Sequence, residues 1–294
     1  MDLTILSFLA APFVASLVIA GIHAYLGVHV VERGVIFVDL SLAQIAAFGA
    51  TIAILLPWFG GDPHGPAVYW VSLLFTFIGA AIFSTIRSRH ARIPQEAIIG
   101  ISYAVASAAT ILALSKSSAE GEHLKDMLVG NILAVSWEEV WRTAILYVII
   151  GAFHWIFRKK FLAISMNHDA AETSMSSLRM WDFLFYASFG FVVTRSVAIA
   201  GVLLVFCYLI VPSVAAMLFS DRIGPRLAIG WTMGTVVSAL GVYLSLTLDL
   251  PTGATIVCTF GVVLVLMGIV RVLVPRTAAV AVRHVPSGAD RSRA

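Results

Sequence analysis

Ser196-Val-Ala-Ile-Ala-Gly-Val-Leu-Leu-Val-Phe-Cys-Tyr-Leu-Ile-Val-Pro-Ser-Val-Ala-Ala-Met-Leu-Phe219 carries no charge from end to end. A helix over this run would be about 36 Å long, enough to cross the ~30 Å hydrocarbon core of a bilayer. Runs of the same character recur along the chain, at 3–26, 34–57, 67–86, 95–115, 137–157, 181–194, 226–247 and 251–274. The run at 181–194 would span only about 20 Å, too short to cross unaided. Fused with 196–219 it would reach about 58 Å, too long for one crossing. Gly190 and Gly201 interrupt the stretch, and two passes with a tight reversal near Thr194 and Arg195 fit better.

Composition agrees with this reading. Of 294 residues 60% are hydrophobic and 12% charged, against about 25% charged in a soluble domain. The mean hydropathy is +0.96 with no polar half, so lipid must solvate the apolar surface. The expected fold is an all-α, polytopic integral membrane protein of eight to nine transmembrane helices. Residues 1–275 form one transmembrane domain and 276–294 a flexible basic tail that touches anionic headgroups. The first run has Asp2 and no basic residue ahead of it, unlike a cleaved signal, and is expected to stay as a helix. A net charge of +3 in such a chain reports orientation and points to no nucleic acid. Cys207 and Cys258 both lie in apolar runs and build neither a disulfide framework nor a multi-cysteine metal site.

Of the 19 basic residues, all but Lys116, Lys125, Arg142 and Arg195 fall on one side of the nine crossings. Positive loops resist translocation, so that side is cytoplasmic, with the N-terminus outside and the C-terminus inside. The odd parity again separates 181–194 from 196–219. On the outer side, 116–136 contains an amphipathic stretch, Leu124 to Leu133, read either as an interfacial loop helix or as the lining of an outer vestibule. On the inner side the sizeable loop is 161–180, with Asn167, His168, Asp169, Glu172, Met175 and Ser177. Asn167 suits an N-cap and Asp169 the first turn of a short helix facing the cytosol. Such a helix either tidies a connection or is gripped by an external motor subunit.

The chain lacks Gly-x-x-x-x-Gly-Lys-Ser/Thr, His-Glu-x-x-His and Gly-x-Ser-x-Gly, so it has no phosphate cradle of its own and none of these hydrolase signatures. What remains is a set of polar groups inside the membrane, each unfavourable by roughly 2.5 to 3.5 kcal/mol near the bilayer centre unless it faces a bundle interior or water. Asp39 leads that set, followed by Ser41, Gln44 and Thr51. Ser41 and Gln44 share a helix face, whereas Asp39 and Ser41 lie about 200° apart. Asp39 reads either as a partner or helix-start cap beside Arg33, or as a pathway carboxylate. His23 and His29 read as metal ligands or as hydrogen-bonded structural groups. Pro212, inside an apolar run, marks a helix kink.

Three stretches resemble the membrane subunits of ABC-type importers of the zinc, manganese and iron class. They are Tyr25-Leu-Gly-Val-His-Val-Val-Glu-Arg-Gly-Val-Ile-Phe-Val-Asp39, the segment Gly201 to Ala216, and Leu248-Asp-Leu-Pro-Thr-Gly-Ala-Thr-Ile-Val257. With Gly130-Asn-Ile-Leu133 and the 167–180 loop, the likeness covers almost the whole chain. It implies a permease bundle like those of vitamin B12 and metal importers, in the bacterial inner membrane. It implies too a second copy of the chain around a central pathway, two ATP-binding subunits gripping 167–180, and an extracytoplasmic metal-binding protein. ATP would be used by the partner, divalent metal would be substrate, and this chain would hold no cofactor. The family's Asp-x-Leu-Ser-His-Ala stretch corresponds to Asp39-Leu-Ser-Leu-Ala-Gln44, so Gln44 stands where histidine is usual and Asp39 falls one residue out of register. An amide oxygen is a harder, weaker ligand than imidazole, which leaves manganese, iron or a metal chelate open beside zinc. Two rival classes remain. An ion- or proton-coupled secondary carrier would use Asp39 for coupling, and an intramembrane enzyme would need a nucleophile motif that is not seen.

Overall fold

The computed structural model describes residues 3–56, 58, 65–86, 93–115, 130, 132–166 and 177–274, with side chains from Leu9 onward. Nine α-helices occur among them: α1 Leu3–Arg33, α2 Val38–Leu55, α3 Pro66–Ile86, α4 Gln95–Leu114, α5 Trp137–Ile156, α6 Arg158–Met166, α7 Leu178–Phe219, α8 Ile223–Leu248 and α9 Thr252–Leu273. No strand occurs among the described residues.

Local chemistry sets the ends of these helices. Helix α1 runs about two turns beyond the expected 3–26 and stops at Gly34, whose φ of +67° is open to glycine. There Gly34 N–H donates to Val31 O and Val35 N–H to Val30 O, the paired bonds of a Schellman ending. Ser136 and Glu139 form a reciprocal capping box that starts α5, where the sequence places a helix from residue 137. Helix α6 turns away from α5 by 75° at Phe157. It occupies the start of the expected 161–180 loop, leaving 167–177 between it and α7.

Helix α7 contains a reversal, and the bonding geometry locates it. Arg33 is bonded to Asp182, while Gly27, two turns back along α1, lies against the backbone of Leu209. A straight helix would separate Asp182 from Leu209 by about 40 Å, whereas Arg33 and Gly27 are about 9 Å apart on α1. The chain therefore doubles back between them, and the non-helical residue in α7 is Gly201, with φ 75° and ψ 162°. The break falls at Gly201 rather than near Thr194 and Arg195, because only glycine populates that backbone region readily. The first limb is then 178–200, a full-length pass instead of the short 181–194. Pro212 lies inside the second limb, eleven residues after this reversal, and keeps helical backbone. Gly130, with φ +65°, sits so close to Ala200 and Gly201 that any Cβ there would overlap their backbone.

By length and composition, eight spans pass among the described residues when α5 and α6 count as one bent span, and dividing α7 at Gly201 makes nine. Bonds between helix ends gather one end of the bundle. Phe37 N–H donates to Glu96 Oε1, Gln95 to Phe83 O, Arg271 Nε to Leu218 O, and Arg226 pairs with Glu32. Arg33, Arg158, Lys159, Lys160, Arg179, Arg222, Arg226 and Arg271 belong to this basic end. Arg195 lies toward the other end, where its Nε donates to Oγ1 of Thr143, the residue after Arg142. Small residues allow close packing: Ser72 Oγ donates to Ala46 O, and Gly79 admits Leu42 and Ile45. The apolar faces of α4, α5 and α9 point outward, with Leu112, Val148 and Val265 exposed.

Candidate functional site

Helix α2 is enclosed by α3, α4 and α7, so residues on several of its faces are buried together. Asp39, in its first turn, is 1% exposed, with Ser41 at 0% and Gln44 at 5%. Ser41 and Gln44 share one face of an unbroken helix. Asp39 is buried on another. Neither Asp39 carboxylate oxygen has a hydrogen-bond partner, nor has Ser41 Oγ. Both local explanations of Asp39 fail: Arg33 pairs with Asp182, and the N-cap position belongs to Phe37, which has no side-chain cap. The positive end of the α2 dipole is the favourable feature left for the charge. A buried carboxylate with open lone pairs is a hard anionic ligand, suited to a divalent cation or a proton.

A second polar group ties α1 to α5, α6 and α7. Arg33 Nη1 donates to Asp182 Oδ1 at 2.8 Å, its Nε donates to Ser165 Oγ at 2.8 Å, and its guanidinium lies 3.8 Å from the Phe185 ring centroid. His29 Nδ1 is 2.8 Å from the same Ser165 Oγ, and His154 Nε2 is 2.8 Å from Ser188 Oγ. His23 Nδ1 meets Ile19 O. Each of these histidines is hydrogen-bonded through one ring nitrogen while the other is buried without a partner, and no cluster of three or more His, Cys, Asp or Glu fit to hold a metal occurs among the described residues. Sequence reasoning missed His154, Ser165, Asp182 and Ser188. Their signal was available, since each is polar within or beside an apolar run.

Of the expected motor-contact residues, Asn167, His168, Asp169, Glu172 and Met175 lie outside the described residues. Ser177 stands at the N-cap of α7, its carbonyl accepting from Met180 and Trp181. The Leu248 to Val257 stretch joins α8 to α9 through a tight turn at Asp249 to Pro251. Asp249 takes a left-handed φ of 53°, Leu250 N–H donates to Ser245 O, and Ser245 Oγ meets Thr252 Oγ1 at 2.6 Å.

The sequence pattern of the ABC 3 transport family matches residues 6–271. The chain belongs to that family. Among curated relatives, the manganese transport system membrane protein MntC of Listeria monocytogenes is 25% identical over 85% of this chain and 86% of its own length. The chelated iron transport system membrane protein YfeC of Yersinia pestis is 26% identical over 82% and 79%. Among solved structures, PsaBC from Streptococcus pneumoniae in complex with Fab superposes with a TM-score of 0.73 at 21% identity, covering 88% of this chain and 90% of that one. The fold of that structure is thus shared along nearly the whole length.

Proposed function

We propose that this chain is the permease subunit of an ATP-binding cassette importer of divalent metal ions. The observation that carries the reading is the ABC 3 family match across residues 6–271. The names of the relatives, manganese and chelated iron transport proteins, favour manganese or iron as cargo. Asp39, with Ser41 and Gln44, lines the pathway, and the unpartnered carboxylate supports that assignment. A single carboxylate, an amide and a hydroxyl make a weak, oxygen-rich site, which suits an ion that must leave as readily as it enters.

The other parts follow from the same reading. The basic end faces the cytoplasm, in a bacterial inner membrane, with the N-terminus outside and the C-terminus inside. Energy comes from ATP-binding subunits docked on Asn167, His168, Asp169, Glu172, Met175 and Ser177, since the chain has no phosphate cradle. A second copy completes the pathway, and an extracytoplasmic metal-binding protein supplies the ion.

The test is uptake of manganese, iron and zinc into vesicles holding this chain with its ATP-binding subunits. ATP-dependent uptake, lost when those subunits are omitted, is the expected result. Uptake by the chain alone under an ion or proton gradient would make it a secondary carrier instead. Labelling of a cysteine placed at Asp169 from the outer face would remove the motor contact from the reading.

A further inference from the structure

We infer that Arg33 is a positioning residue: it ties both flanks of the segment between Met166 and Ser177 to the turn that carries Asp39. The inference rests on the reading above, in which that segment receives the ATP-binding subunits. Ser165 lies one residue before the end of α6, and Asp182 lies in the first two turns of α7. Both are bonded to one guanidinium, through Nε and Nη1 respectively. The ion pair is sealed, with the Arg33 and Asp182 side chains 0% and 2% exposed. His29, one turn back on α1, holds the same Ser165 hydroxyl, and the Phe185 ring covers the guanidinium.

Rigidity makes this a link rather than a decoration. Exposed ion pairs slide and re-form in water, but a buried one whose partners part leaves charges in an apolar interior. A push on the end of α6 or the start of α7 therefore moves Arg33 with it. The planar guanidinium holds two acceptors in a fixed relation, which an ammonium does not. Arg33 is also the last residue of α1, and only Gly34 to Phe37 separate it from α2. That turn is itself stiff: Gly34 and Val35 are bonded back to α1, Phe37 N–H is held by Glu96, and Ser41 N–H donates to Phe37 O. Displacement at the motor-facing segment thus reaches the first turn of α2, where Asp39 sits.

Two measurements test the link. The first is on the assembled transporter in vesicles, with manganese uptake and ATP hydrolysis read in one preparation. Arg33→Lys and Asp182→Asn are expected to lower uptake per ATP at least about tenfold, within the usual range of coupling between sites. Glu32→Gln, which breaks the separate pair with Arg226, should leave that ratio unchanged. A wild-type ratio in both variants, or uptake and hydrolysis falling together with the amount of assembled complex, overturns the inference.

The second measurement needs no partner. Ser165→Ala, a mild change, is made in the chain alone, and amide hydrogen exchange is followed in lipid nanodiscs. Faster exchange at residues 34–41 as well as at 158–166 supports the link, with 249–252 unaffected. Faster exchange confined to 158–166 overturns it. Failure of the wild-type chain to use ATP for uptake would instead count against the proposed function.

Discussion

Arg33 pairs with Asp182, 149 residues further along the chain, and leaves the nearer Asp39 with no partner. The consequence is a division of labour between two buried carboxylates. Asp182 is neutralised and holds helices together. Asp39 keeps its lone pairs open inside the bundle, which is unfavourable for folding unless a cation visits.

Asp39→Asn therefore separates transport from stability. A contact to a charged group contributes about 1.5 to 3 kcal/mol, so metal uptake by the assembled transporter should fall at least about tenfold. The thermal midpoint of the purified chain should stay level or rise, because an unpaired buried charge is replaced by a neutral amide. Uptake at the wild-type rate would make Asp39 a structural group.

The apolar runs and the one-sided basic residues made nearly all the helices and their common end legible, because each depends only on what lipid and water tolerate locally. Partner choice was not legible. Arg33 stands six positions from Asp39, and only the packing of α6 and α7 against α1 decides for Asp182. The reversal escaped for a similar reason. Thr194 and Arg195 look like the polar break, but in the fold Arg195 finds Thr143 and Thr194 finds Thr76, so both stay helical and Gly201 turns the chain. His154 and Ser188 are distant in sequence, and their pairing is a property of helix contact alone.

Gln44→His should change which ion passes. Imidazole binds borderline-soft zinc better than an amide oxygen does, while manganese gains less. Competition of zinc against manganese uptake should shift towards zinc, by about tenfold for a gain of about 1.4 kcal/mol. An unchanged ratio would place Gln44 away from the ion.

Gly201→Ala tests the reversal. With φ 75° and ψ 162° the backbone is in a region where a side chain is strained by about 1 to 3 kcal/mol. Gly130→Ala should be at least as damaging, since its Cβ would run into the backbone of Ala200 and Gly201. Gly224→Ala, on α8 with open space around it, serves as the control and should leave stability level or slightly higher. Thermal unfolding in detergent distinguishes these outcomes, and equal midpoints for all three would remove the reversal.

The Leu248 to Val257 stretch carries the strongest sequence likeness, yet its Asp249 to Pro251 part is the turn between α8 and α9, and Asp249 shows which property matters. Its φ of 53° lies in the left-handed region, its position follows the last residue of α8, and Leu250 N–H closes back to Ser245 O. Left-handed backbone disfavours most side chains by about 1 to 2 kcal/mol, least for Asp and Asn and not at all for Gly. Asp249→Gly should therefore keep both stability and uptake, whereas Asp249→Val should lower the thermal midpoint and the yield of folded chain, because a β-branched residue resists positive φ. If the carboxylate were instead needed for the ion, Asp249→Gly would abolish uptake in a fully stable chain. Uptake and thermal unfolding measured on the same two variants decide between turn and ligand.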